Sequence, residues 1–115
     1  MKYKRTFKVY GTYFWDFYNE LSLTVQKKIY YVLEHIRVEE VIPAKFFQQV
    51  VSVKGLYEIR VEVDGNIYRV FCCFDKGQLV VLFNGFQKKS QKTPKNEIEI
   101  AKKLMNDYWR TKEGK

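Results

Sequence analysis

The stretch that most constrains the fold is a run of alternating apolar residues within positions 54–94, interrupted by two glycine turns. Asp64-Gly65, followed by Asn66, predicts a tight hairpin, because glycine tolerates the positive φ that such turns require. Asp75-Lys76-Gly77 predicts a second tight turn. The run QLVVLFN at 78–84 is apolar on both faces, which is typical of a central strand. The sequence therefore predicts a three-stranded antiparallel meander.

Alternation along the first two strands of this meander separates an apolar face from a face that carries arginines. Arg60 is out of phase with Ile59 and Val61, and Arg69 shares its face with Phe71. The segment QKKSQKTP after the third strand is polar and basic and adds three lysines: Lys88, Lys89 and Lys92. We therefore expect the arginines and this loop to form one basic surface that the rest of the protein supports.

The flanking segments predict helices and a further strand around the meander. Alternation over the first ten residues predicts a strand that Gly11 ends. Apolar spacings of three and four predict helices at 13–20 and 23–38, and a third that starts at Thr93-Pro94 and runs to Trp109. Residues 39–53 predict a connecting loop with a short extended piece at 49–53.

The expected fold is one α+β domain over residues 1–115, ordered β-α-α-β-β-β-α with a mainly antiparallel sheet. The apolar stripes of the three helices are expected to cover one face of this sheet. That arrangement leaves the face with Arg60 and Arg69 as the open surface.

Charge and cysteine content limit the partners and the compartment. The chain has 21 lysines and arginines against 13 aspartates and glutamates, a formal net charge of +8, which favours a polyanionic partner. Cys72 and Cys73 point to opposite faces of a strand, so we expect two buried thiols in a reducing cytosol and no disulfide. Without an apolar run of spanning length, or an apolar segment after the N-terminal charges, we expect neither a membrane span nor a secretory signal.

Standard catalytic signatures are missing from the sequence. The one histidine, His35, is expected on the surface of the second helix, and no partner at ligand spacing predicts a metal site or a cofactor. Neither a phosphate-binding glycine loop nor a nucleophile elbow is found. The candidate functional residues are instead a cationic cluster with a tyrosine and an amide near it: Lys54, Arg60, Arg69, Lys88, Lys89, Lys92, Tyr68 and Gln87.

Such a cluster suits the cleavage of RNA by its own 2′-hydroxyl group. Arginine forks can hold a phosphate through two hydrogen bonds and stabilise the charge that builds in the transition state. A lysine or a tyrosine could transfer protons, and Phe71 or Phe86 could stack a splayed base. The alternative is an ordinary charged surface in which Arg60 pairs with Glu58 or Glu62.

Several runs of the sequence closely resemble the RelE/HigB-like toxins of bacterial type II toxin–antitoxin systems. The most specific part is the GF-x-KK-x-x-K-TP motif at 85–94, which lies within LVVLFNGFQKKSQKTPKNEIEIAKKL at 79–104, and GLYEIRV at 55–61 and IYRVFCCFD at 67–75 accompany it. The segment DFYNELSLTVQKKI at 16–29 is similar as well. Together the resemblance covers residues 12–109, nearly the whole chain.

The resemblance implies a compact fold akin to the microbial ribonucleases and a metal-independent endoribonuclease. Such an enzyme cuts mRNA at the ribosomal A site, beside the 16S rRNA, and arrests translation. It also implies a cognate antitoxin, usually a small helix-turn-helix protein. The residues that match the family by position are its phosphate-gripping strand arginines and its basic loop, with two further lysines: Arg60, Arg69, Lys88, Lys89, Lys54 and Lys92.

The resemblance leaves the proton-transfer groups and the target open. No histidine follows His35, and Tyr108 falls within the terminal helix, so the general acid and base are unassigned. ParE-like poisons of DNA gyrase share the fold, so a non-enzymatic gyrase poison is one alternative. A basic module that binds RNA without cleaving it is another.

Overall fold

The computed structural model describes residues 4–89 and 94–113. Its elements are, in chain order, strand β1 (Thr6–Val9), helices α1 (Tyr13–Tyr18) and α2 (Leu23–Val38), strands β2 (Phe47–Gln49), β3 (Tyr57–Val63), β4 (Asn66–Asp75) and β5 (Leu79–Lys88), and helix α3 (Lys95–Glu113). A 3₁₀ turn, Ala44–Phe46, precedes β2.

The strands form one five-stranded sheet in the order β1-β5-β4-β3-β2. β1 runs parallel to β5, whereas β5-β4, β4-β3 and β3-β2 are antiparallel. The predicted α+β fold and the predicted meander, β3-β4-β5, are therefore confirmed. Both predicted turns have the expected backbone, with positive φ at Asp64 and Gly65 and at Lys76 and Gly77.

The connecting segment differs from its prediction. The sequence predicts an extended piece at 49–53, but the strand in this segment is β2, and it pairs with the start of β3. The chain turns immediately afterwards, because the Val50 N–H donates to the Leu56 carbonyl (2.8 Å) and Val50 and Val53 are buried in the core. The predicted element order therefore lacked one strand, which satisfies backbone groups along the edge of β3.

Helices α1 and α2 pack on one face of the sheet. Ser22 caps α2 by accepting a hydrogen bond from the Val25 N–H (3.3 Å), and α1 ends at Tyr18, two residues before its predicted end. The core beneath these helices is built from the apolar stripe of α2 and one face of the strands: Val25, Ile29, Val32, Ile36, Ile59, Val61, Tyr68, Val70, Cys72, Val80 and Leu82.

Helix α3 packs on the opposite face, so the expectation that the arginine face is open was wrong. That face carries a second apolar stripe, which α3 buries with its own: Phe71, Cys73, Val81, Phe83, Phe86, Ala101, Leu104, Met105 and Tyr108. Leaving this stripe in water would forfeit about 25 cal/mol for each Å² of apolar surface. The predicted helix cap Thr93 lies outside the described residues, and α3 runs to Glu113, four residues past its predicted end.

Gly85 lies where α1 meets β5. A Cβ atom on Gly85 would lie 2.4 Å from Cδ2 of Phe17, so glycine is what allows the Phe17 ring to pack against the strand. The next residue, Phe86, points to the other face and stacks on Phe71, with ring centroids 5.7 Å apart. The Gly85-Phe86 pair thus fixes packing on both faces of the sheet.

A buried carboxylate joins the end of α3 to the turn between β4 and β5. Asp75 is 2% exposed, accepts a hydrogen bond from the Tyr108 hydroxyl, and lies 2.7 and 2.6 Å from Nζ of Lys112 through its two oxygens. The hydrogen bond from Lys112, followed by that from Tyr108, holds the pKa of Asp75 below its ordinary value.

Among the described residues, no helix combines the length and apolarity needed to cross a bilayer.

This carboxylate predicts a pH-dependent stability. The pKa of Asp75 is lower in the folded chain than in the unfolded chain, where it is about 3.9. Ionised Asp75 therefore stabilises the fold above about pH 3.9, and this stabilisation is lost as the pH falls through the folded-state pKa. Asp75→Asn should therefore lower Tm at pH 7. The difference in Tm between this variant and wild type should become smaller below about pH 4. Thermal unfolding from pH 7 to pH 3 measures this. Asp107→Asn, whose partner Arg110 is exposed, should change Tm little. A difference for Asp75→Asn that stays constant with pH would contradict the account.

Candidate functional site

The centre of the candidate site is a pair of arginines that face each other across two strands. The Asp64-Gly65 turn sets the β3-β4 register, which places Arg60 directly opposite Arg69. Cβ atoms in such cross-strand pairs lie about 4.5–5.5 Å apart, and like charges placed so are destabilising. The pair therefore needs a counter-charge, and it has one in Glu58.

Glu58 compensates mainly Arg69. Its carboxylate Oε1 lies 2.7 Å from Nε of Arg69 and 4.0 Å from Nε of Arg60. Arg69 is 4% exposed, and its Nη1 donates to the Tyr68 carbonyl (3.2 Å). Burial, and next the charge of Arg60, lower the pKa of the Arg69 guanidinium, while Glu58 raises it. Glu58 therefore compensates the charge of the more exposed Arg60 less than that of Arg69, and the alternative in which Arg60 pairs with Glu58 describes part of this arrangement.

Arg60 and Arg69 line a cleft of about 500 Å³ at the edge of the sheet. The edge of β3 is available here because β2 pairs only with residues 57–59. Helix α2 and the 3₁₀ turn form the other wall. Among the described residues that line it, four side chains are basic and one is acidic: Lys28, Lys45, Arg60, Arg69 and Glu62, together with Tyr31, Phe46, Val61 and Ile67. An anion is the ligand that this lining favours.

The other predicted site residues are distributed around the cleft unevenly. Lys88 pairs with Ile67, one of the lining residues, and the exposed Lys89 follows it. Lys54 lies in the turn before β3, at the end of the strand away from Asp64-Gly65. Lys92 lies outside the described residues.

Tyr68 and Gln87 do not face the arginines. They pair with each other across β4 and β5 and belong to the opposite face, where Tyr68 is 6% exposed in the core beneath α1 and α2. The interpretation of Phe71 or Phe86 as a base-stacking ring was wrong as well, because both rings are buried under α3.

Sequence reasoning missed the second wall of the cleft. Lys28 and Tyr31 lie on α2 and Lys45 and Phe46 in the 3₁₀ turn, all distant from β3 along the chain. A signal was available on α2, since positions 28, 31 and 35 are spaced by three and four residues beside the buried stripe. His35 is near this wall too, with its ring 4.5 Å from that of Tyr31 and 5.6 Å from that of Phe46.

The basic lining of the cleft is suited to charge stabilisation. Burial raises the pKa of Cys72, and raises that of Cys73 to about 12, so both thiols stay protonated and point into the two cores. Within residues 4–89 and 94–113, no three His, Cys, Asp or Glu side chains are grouped to hold a metal ion. The groups in this cleft that could act on a substrate are the guanidinium groups, because each can hold a phosphate through two hydrogen bonds.

The sequence also matches the profile of a protein family. Residues 16–106 match the family described as phage derived protein Gp49-like (DUF891). This range includes every residue that lines the cleft. No curated protein matches the chain.

Proposed function

The chain belongs to the phage-derived Gp49-like family, and we propose that it is a toxin that cleaves mRNA on the ribosome and so arrests translation. Gp49-like proteins are a toxin family of toxin–antitoxin systems, within the RelE/Gp49 superfamily, so an antitoxin partner follows from the family. The HigB-like branch, a helix-turn-helix antitoxin and action at the A site beside 16S rRNA are parts of the proposal.

The observation that carries the proposal is the cross-strand arginine pair in a basic cleft. The Arg69 guanidinium is held by the half-buried Glu58 carboxylate, while Arg60 is more exposed and lies farther from that carboxylate. A phosphodiester between the two walls would place a non-bridging oxygen against the Arg60 fork. Arginine is suited to this task because its planar fork binds two oxygens at once and stays charged.

The proposed reaction uses a nucleophile that belongs to the RNA. The 2′-oxygen attacks the adjacent phosphorus and loses its proton, the bond to the 5′-oxygen breaks, and that oxygen takes up a proton. The products are a 2′,3′-cyclic phosphate and a 5′-hydroxyl end. Arg60 stabilises the negative charge that develops on the phosphoryl oxygens. Arg69, on the neighbouring strand, adds to the positive electrostatic potential at that position. Since the arginines supply the positive charge, the proposal needs no metal ion.

The lysines take supporting roles in this proposal. Lys28 and Lys45 in the cleft neutralise phosphates next to the scissile one. Lys88 and Lys89, at the end of β5, together with Lys54 and Lys92, contact RNA farther along the strand or on the ribosome. Tyr68 and Gln87 have no part in it because they belong to the opposite face.

Mapping mRNA 5′ ends in cells after induction of the protein tests this function. We expect new 5′-hydroxyl ends inside coding regions within minutes, and none when the antitoxin is co-expressed. Intact mRNA together with DNA breaks would instead indicate a gyrase poison. If the mRNA stays intact and the protein binds RNA with an affinity that falls steeply as the salt concentration rises, the protein is a binding module. Either result would overturn the proposal.

A further inference from the structure

An exposed aromatic ring lies in the wall of the cleft that helix α2 forms. Tyr31, on α2, is 49% exposed and lines the cleft with Arg60 and Arg69. Water-exposed rings are common on protein surfaces. A ring that lines the same cleft as two arginines is in a different situation, because a ligand held by the arginines in that cleft could also contact the ring.

The ring is held in place from within the fold. His35, one turn later on α2, lies edge-on to it with centroids 4.5 Å apart, and Phe46 lies edge-on at 6.5 Å. Phe46 is 9% exposed, and the His35 Nδ1 is 3.3 Å from Oε2 of Glu39. These contacts restrict the ring, which reduces the conformational entropy that would be lost when a ligand stacks on it.

Cations and rings alternate along this wall. Nζ of Lys28 lies over the ring of Tyr31, 5.2 Å from its centroid, and Nζ of Lys45 lies over the ring of Phe46, 5.1 Å from its centroid. An acidic peptide would use the cations and leave the exposed ring without a matching partner. Single-stranded RNA offers a flat base and a phosphate at every nucleotide, so it uses both.

We propose that Tyr31 is the platform on which a base of single-stranded RNA stacks while Arg60 and Arg69 hold the neighbouring phosphate. This rests on the proposed function and adds a binding residue to it. The stacked base would orient the ribose, and with it the 2′-hydroxyl, relative to the phosphate in the cleft.

Binding of a 2′-O-methyl RNA oligonucleotide, which cannot be cleaved, tests the platform. Base–aromatic stacking of about 1–3 kcal/mol corresponds to about 5- to 140-fold in Kd. We therefore expect Tyr31→Ala to weaken binding by that factor and Tyr31→Phe to bind like wild type, as measured by fluorescence anisotropy. Tyr30→Ala is the matched control, since Tyr30 is 60% exposed on the same helix and does not line the cleft.

A second 2′-O-methyl oligonucleotide, with abasic positions, tests whether the Tyr31 ring contacts a base. Wild type should bind it as weakly as Tyr31→Ala binds the normal strand, because the ring then has no base to stack on. Equal binding by Tyr31→Ala and Tyr30→Ala, or an equal loss in Tyr31→Phe and Tyr31→Ala, would overturn the inference. The assay involves neither ribosomes nor cleavage, so this failure is distinct from a failure of the proposed nuclease activity.

Discussion

Replacing Arg60 with alanine should slow mRNA cleavage by about 100- to 1000-fold, the loss typical of removing one preorganised donor to a transition-state oxyanion. Glu58 compensates the charge of Arg60 less than that of Arg69, because its carboxylate lies 4.0 Å from Nε of Arg60 and 2.7 Å from Nε of Arg69. Its side chain is 29% exposed, so the substitution should leave the fold intact. The initial rate of cleavage in a translation extract measures the effect.

Two controls separate the role of Arg60 from general charge. Lys102→Ala also removes one positive charge, from an exposed position on α3, and should cleave at the wild-type rate. Arg60→Lys keeps the charge but loses the fork, so its rate should fall between wild type and alanine. Cleavage by Arg60→Ala at the rate of Lys102→Ala would contradict the assigned role.

Replacing Glu58 with alanine should have the largest effect on stability, a loss of about 3–5 kcal/mol, because it leaves a buried guanidinium unpaired. Arg69 is 4% exposed and lies opposite a second arginine, so without Glu58 it would lack its carboxylate partner and face a like charge. Urea unfolding followed by circular dichroism measures the free energy of unfolding.

The same strand supplies the matched control. Glu62 is an exposed glutamate on the same face of β3, and Glu62→Ala should change stability by less than about 1 kcal/mol. Glu58→Ala combined with Arg69→Met should recover part of the loss, because an apolar side chain needs no counter-charge. Equal effects of Glu58→Ala and Glu62→Ala would show that Arg69 does not depend on Glu58.

Local pattern was sufficient to predict the meander and the arginine pair. Asp64-Gly65 fixes the hairpin because only certain residues accept its backbone, and the hairpin fixes the register. Alternation then assigns Arg60 and Arg69 to one face. The opposite orientation of Cys72 and Cys73 follows from the same period of two.

Long-range packing explains what local pattern missed. The stripe of α3 shows that it packs on a sheet but not on which face, and the second apolar stripe at Phe71 and Phe83 decided that. Tyr31 and Phe46 reach the cleft only because α2 and the 3₁₀ turn meet the open edge of β3. No spacing along the chain encodes that meeting.

The most direct test of the account is a reconstituted translation reaction with a 5′-labelled mRNA and ribosomes paused at a known codon. We predict that the wild-type protein cuts the mRNA in the A-site codon, leaves a 2′,3′-cyclic phosphate, and cuts far less without ribosomes, while Arg60→Ala cuts the mRNA about 100- to 1000-fold more slowly. Intact mRNA in the presence of folded wild-type protein and paused ribosomes, or cleavage by Arg60→Ala at the wild-type rate, would contradict it.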